Sequence, residues 1–145
     1  MGVRLALEAS TAEILKAVEG WVNLLEQEDY ERAYAYTEQD EQYQWTPDLI
    51  QSVIYSYGFQ VLHSHDEFYR ITPVNTDSAG NRSPRQEVDF YQEPLLEEAK
   101  EAAIIGQVWY DLPLNGEWSD LTATFKVVRR ETYLTLELAE IRVFD

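Results

Sequence analysis

Leu134-Thr135-Leu136-Glu137-Leu138-Ala139-Glu140-Ile141-Arg142-Val143 decides how the C-terminal half of the chain is read. Leu134, Leu136 and Leu138 alternate with polar residues at the period of a half-buried strand. Ile141 and Val143 continue the alternation with the opposite parity. A one-residue slip would send these two to the wrong face of the sheet. One extra residue near Ala139 restores the register, so the pattern predicts a β-bulge there. Working backwards, Leu121, Ala123, Phe125 and Val127 alternate with Thr122, Thr124 and Lys126. Residues 104–114 read as another long strand. Val108, Tyr110, Leu112 and Leu114 share one face, while Gln107, Trp109 and Asp111 share the other. Asn115-Gly116 marks a tight turn between these strands. Residues 59–63, 67–72 and 86–91 are further extended candidates, and 75–84 has loop composition. Residues 93–102 read two ways, because Pro94 also starts a helix well.

The first half carries helical spacing instead. Ser10-Thr11-Ala12-Glu13 is a capping box, in which the serine hydroxyl accepts from orphan amides and Glu13 returns the bond. Leu15, Val18, Val22 and Leu25 follow at helical spacing, with Ile14 and Trp21 widening the stripe. Asp29 suits the start of a second, short helix, with Tyr30, Ala33 and Tyr34 on its inner face. A polar run over residues 37–44 breaks the pattern. Thr46-Pro47-Asp48 then starts a third helix, with Leu49, Ile50, Val53, Ile54 and Tyr57 inward and Gly58 at its end. Three helices followed by antiparallel strands predict one α+β domain over residues 1–145, with the helices on one face of a strongly curved, mainly antiparallel sheet.

Charge and composition narrow the function. The chain has 27 Asp plus Glu against 11 Lys plus Arg, a formal charge of −16. Phosphate backbones and anionic membranes need a basic face, so neither nucleic acid nor a membrane is an expected partner. There is no cysteine, which removes disulfides, thiolate metal sites and cysteine nucleophiles. Met1-Gly2-Val3-Arg4-Leu5-Ala6-Leu7-Glu8 reaches charge too soon for a signal-peptide core, and the expected compartment is the cytoplasm.

The order of elements resembles the nuclear transport factor 2-like (NTF2-like) superfamily, a cone-shaped α+β fold. Trp21-Val22-Asn23-Leu24-Leu25 followed by Asp29-Tyr30-Glu31-Arg32-Ala33-Tyr34 is similar to that family's first helix, acidic turn and second helix. Three long C-terminal strands within residues 104–144 are similar to its curved sheet. The family hosts isomerases, hydratases, dehydratases, transport factors and binding domains, so membership alone implies no single chemistry. It does imply a homodimer through the sheet. Trp109 and Val128, on the parity opposite the core-facing residues, are the expected dimer face.

Each chemistry-bearing cluster has two readings. His63, His65 and Asp66 have the residue types of a divalent metal site or an acid–base pair. So short a motif is more commonly a polar strand end, and no metal or other cofactor is expected. A resemblance to ketosteroid isomerase would imply an Asp base and a Tyr oxyanion donor. Tyr30, Tyr34, Asp89, Asp111 and Asp120 supply the types without the spacing. Asp111 is expected to be solvated. Tyr30, Tyr34 and Tyr57 read as core. Tyr43 and Trp45, in the polar run, read as a pocket mouth or contact, joined by Glu38, Asp40 and Glu41. Acids from Glu26 to Asp48 outnumber the lone Arg32 heavily. Such a run is a solvated face or a docking surface for a basic protein. The combined expectation is a non-catalytic acidic binding domain, of immunity or accessory type, with a basic protein partner. The alternative is a small-molecule enzyme resembling SnoaL cyclases or ketosteroid isomerase and using the cone interior. An interior plugged by Trp, Tyr and Leu favours the first, and an open pocket with His63, His65 or an aspartate favours the second.

Overall fold

Side-chain capping starts each helix as its sequence predicts. The computed structural model describes residues 2–39, 43–56, 71–72, 84–97, 102–114 and 117–144. Helix α1 spans Thr11–Glu26, and Ser10 and Glu13 close the reciprocal capping box. Helix α2 spans Tyr30–Tyr36, with the Asp29 carboxylate accepting from the Arg32 amide at 3.2 Å. The polar run after it contributes a two-residue strand, β1, Glu38–Gln39, which its composition does not announce. Helix α3 spans Pro47–Tyr55, with Thr46 accepting from the Leu49 amide and Pro47 at the first helical position.

Four long strands follow among the described residues. They are β2, Gln86–Glu97; β3, Ala102–Leu114; β4, Glu117–Arg129; and β5, Leu134–Val143. The sheet order is β1-β5-β4-β3-β2. The β1–β5 pair is parallel and the rest are antiparallel, so the sheet is mixed, and among the described residues β1 and β2 are its edges. Pro94 starts no helix and lies inside β2, where an outermost strand tolerates the missing N–H. The expected strands 59–63 and 67–72 lie outside the described residues, except that Ile71 bridges Leu114 and the Thr72 amide donates to the Pro113 carbonyl. Gly58 and the Asn115-Gly116 turn also lie outside them.

The register of β5 contains the predicted bulge. Phe125 faces Leu138, and Thr124 faces Glu140, which leaves Ala139 without a partner on β4. Leu134, Leu136, Leu138 and Ile141 all join one hydrophobic core as a result, which an unbroken two-residue period could not achieve. The helices cover this face: α1 packs on β2 and β3, and α3 packs on β5. At the centre Trp21 meets Phe125 edge-to-face, with ring centroids 5.0 Å apart at 88°.

Two glycines are set by close approach. A Cβ at Gly106 would lie 2.7 Å from the Asp89 carbonyl oxygen, so only glycine lets β2 lie against β3 there. A Cβ at Gly20 would lie 2.6 Å from the Tyr36 hydroxyl. That hydroxyl donates to the Ala17 carbonyl at 2.7 Å and ties α2 to α1. The contact accounts for a glycine inside a helix, where it costs about 1 kcal/mol relative to alanine.

Trp21 is fully buried in this core. Trp21→Ala is expected to lower stability by about 3–5 kcal/mol in urea unfolding. A loss under about 1 kcal/mol would place the side chain outside the core and refute this packing.

Candidate functional site

Side chains occupy the interface between helices and sheet. Val18, Trp21, Val22 and Leu25 from α1 meet Val108, Leu112, Phe125, Leu136 and Leu138 from the sheet, and every one has zero accessible surface. A water-sized void beside any of them would leave accessible area on its wall. Tyr110 also points to this face and is buried. Burial, with the negative Glu19 nearby, pushes its phenol up to about 12. Burial likewise raises the Tyr36 phenol. Both stay neutral donors near pH 7.

The catalytic candidates do not converge among the described residues. His63, His65 and Asp66 lie outside them. Asp111 corrects the expectation of a solvated side chain, since it is only 2% exposed. It accepts from the Thr122 hydroxyl at 2.6 Å and from the Arg85 amide at 2.8 Å. A buried carboxylate is tolerable when such donors replace water, and here they pin the start of β2 to β3. Tyr110 and Asp111 are consecutive on a strand and face opposite sides of the sheet, so the phenol and the carboxylate cannot share a site. Asp89 is exposed and Asp120 half-buried. Tyr30 is in the core and Tyr34 packs against it. No cluster of three His, Asp or Glu able to hold a metal ion occurs among the described residues.

The expected contact residues are redistributed. Trp45 is buried, not at a pocket mouth. Its indole N–H donates to the Ala139 carbonyl at 2.8 Å, the carbonyl of the bulged residue. Tyr43 is half-buried against the core. Glu38 is bound by the Arg130 guanidinium, so its charge is largely neutralised within the chain. Asp40 and Glu41 lie outside the described residues.

The sheet face opposite the helices holds a cation–aromatic chain that alternation alone does not reveal. The Arg85 guanidinium sits 4.2 Å over the Trp109 ring. Trp109 meets Phe144 at 5.0 Å, and Arg142 covers Phe144 at 4.3 Å while binding Glu140 at 2.7 Å. Trp109 belongs to β3 and Phe144 follows β5, so the two rings meet across β4. This explains why Thr122 and Thr124, with the polar parity of β4, are buried. Trp109 is half-buried in this chain of contacts, and Val128 is 1% exposed within the single chain. The available signal was an aromatic at 144 and arginines at 85 and 142 with the parity of Trp109, but only the pairing register brings them together.

Comparison with protein-family models, with curated proteins and with solved structures returns no match. No helix among the described residues is long and apolar enough to cross a membrane.

Two measurements test this geometry. Trp45→Phe keeps a six-membered aromatic ring but removes the indole N–H and strands the Ala139 carbonyl, and a loss of about 1–3 kcal/mol is expected in urea unfolding. A loss under about 0.5 kcal/mol would mean that water replaces the indole N–H freely. Like Tyr36, Tyr110 contributes to the alkaline limb. Its folded pKa is raised above the ordinary value of about 10, so the unfolded chain releases the proton first. The stabilisation is therefore complete below about pH 10 and is lost as pH rises toward about 12. Tyr110→Phe is expected to flatten stability over that window, and an unchanged slope would show that Tyr110 ionises normally.

Proposed function

We propose that this protein is a non-catalytic acidic binding domain, of immunity or accessory type, that docks a basic protein partner. We further propose that its fold is an open NTF2-like cone. The observation that carries the reading is the filled helix–sheet interface. An enzyme of this architecture would hold its substrate there, where Trp21, Phe125 and Leu112 leave no accessible surface. The irregularities at Ala139, between Ile104 and Gly106, and within β2 support a curved sheet.

The placement of acids supports a basic partner. Glu26 ends α1, and Glu28 follows in the left-handed conformation at φ 58°. The last carbonyls of a helix carry partial negative charge, which disfavours both glutamates. A side chain in the left-handed region costs roughly 1–2 kcal/mol more. The Tyr55 hydroxyl donates to Glu28 at 2.8 Å and offsets part of this. None of the three helices among the described residues has a base in its last turn. Asp29 and Glu31 have a structural reason, the start of α2, and Glu28 has one in the Tyr55 contact; Glu26 has none. A residue held against local preference points to a requirement beyond the fold. The homodimer and the cytoplasmic compartment belong to the same proposal. Its interface would centre on Trp109, with no contribution from the buried Val128.

Capture from a native lysate at low ionic strength tests the reading. The expected result is a basic protein released by about 0.5 M salt and bound less by the variant carrying Glu26→Gln, Glu28→Gln and Glu31→Gln. Recovery of no protein, or of one indifferent to salt, would overturn it.

A further inference from the structure

The apolar part of a docking surface lies on β2, away from the aromatic residues of the polar run. Phe90 is 47% exposed, Leu95 57% and Leu96 69%, three large apolar side chains within seven residues of β2, the outermost strand among the described residues. Their exposure has a local cause. Phe90 faces Gly106 and Leu95 faces Ile104. Four residues on β2, from Tyr91 to Pro94, therefore oppose Ile105 alone, and this segment is pushed out of the ladder. Pro94 within it lacks the N–H that an added strand would need. A bulge, a proline and charges together blunt an edge against strand addition. What the edge presents is side chains. Leu95 and Leu96 are consecutive and point to opposite faces, so they straddle the rim of the sheet. Leu96 also walls a cleft of about 410 Å³ with Leu7, Ala102 and Ala103.

The charges around this knuckle select the occupant. Glu87, Asp89 and Glu93 are exposed on the same strand. Arg85 binds Glu87 at 3.0 Å, while Asp89 and Glu93 add uncompensated negative charge. Arg129, Arg130 and Glu131 also line this cleft; Arg130 is held by Glu38, and the charges of Arg129 and Glu131 cancel in number. A second copy docking through this patch would bring the same acids together across a two-fold axis, each chain at −16. A basic protein meets apolar anchors beside the exposed acids of β2, the arrangement in which central apolar contacts carry affinity and nearby charges steer encounter.

We propose that Phe90, Leu95 and Leu96 form the apolar centre of a docking surface for a basic protein that inserts apolar side chains beside Leu96. The inference rests on the basic-partner reading above and gives that partner a surface.

Fluorescence anisotropy with a short labelled peptide alternating lysine and leucine is the test, with a lysine–serine peptide as control. The wild-type chain is expected to bind the lysine–leucine peptide more tightly. The double variant Leu95→Ser, Leu96→Ser keeps every charge and, at such exposed positions, the fold, which circular dichroism checks. It is expected to bind the lysine–leucine peptide about tenfold more weakly and to leave the control unchanged. Loss of binding confined to the Glu26→Gln, Glu28→Gln, Glu31→Gln variant would overturn this surface while keeping the basic-partner reading. Binding of neither peptide at low salt would overturn both. A wild-type dimer that the double variant converts to monomer, with peptide affinity unchanged, would assign the knuckle to a second copy and overturn the proposal.

Discussion

The peptide unit between Ala139 and Glu140 is the point on which the sheet turns. The bulge removes it from the regular ladder, and side chains satisfy both its ends. Its carbonyl accepts from the Trp45 indole, and its N–H donates to the Thr124 hydroxyl at 3.1 Å. Without these two partners the displaced peptide would carry unsatisfied polar groups inside the protein, at a cost of about 1–3 kcal/mol each. With them, β5 changes phase, and leucines on one side of the bulge and Ile141 on the other reach the same core. Trp45 does this from the segment that leads into α3, so the interaction that sets the phase of the last strand also docks a helix 94 residues earlier in the chain.

How much of this was legible follows from the range of each interaction. Capping is local, three residues from hydroxyl to amide, and Ser10, Asp29 and Thr46 were read from sequence alone. The bulge was legible because a two-residue period fails visibly when its phase changes. Trp45 was misread because its composition neighbours are polar while its real neighbour is a carbonyl on another strand. Asp111 was misread for a related reason: alternation told which face it takes, but not that Thr122 and the Arg85 amide replace water there. The two-residue β1 was invisible, because Glu38 and Gln39 have no strand character and are extended only by pairing with β5.

Both sides of this sheet are therefore specified, by different physics. The helix-covered face is apolar and close-packed. The other is polar by composition yet largely dry along β4, roofed by aromatic rings and arginines whose aliphatic and planar surfaces cover apolar and hydroxyl groups alike. Glu137 belongs to this second set, buried and 3.8 Å from Lys126.

The N-terminal segment is stitched to the other end of the chain. The Val3 amide donates to the Tyr36 carbonyl, Leu5 and Leu134 exchange amide–carbonyl bonds, and the Thr135 hydroxyl donates to Val3 across 132 residues. Closing so long a loop costs entropy that local contacts must first offset. On a ribosome, residues 3–5 would wait for residues 134–135. The helices can form early, but the seam that fastens residues 3–5 along β5 can close only after synthesis has passed Thr135. Until then β5's partner edge is open, and a nascent chain in that state relies on its own negative charge to stay apart from its neighbours.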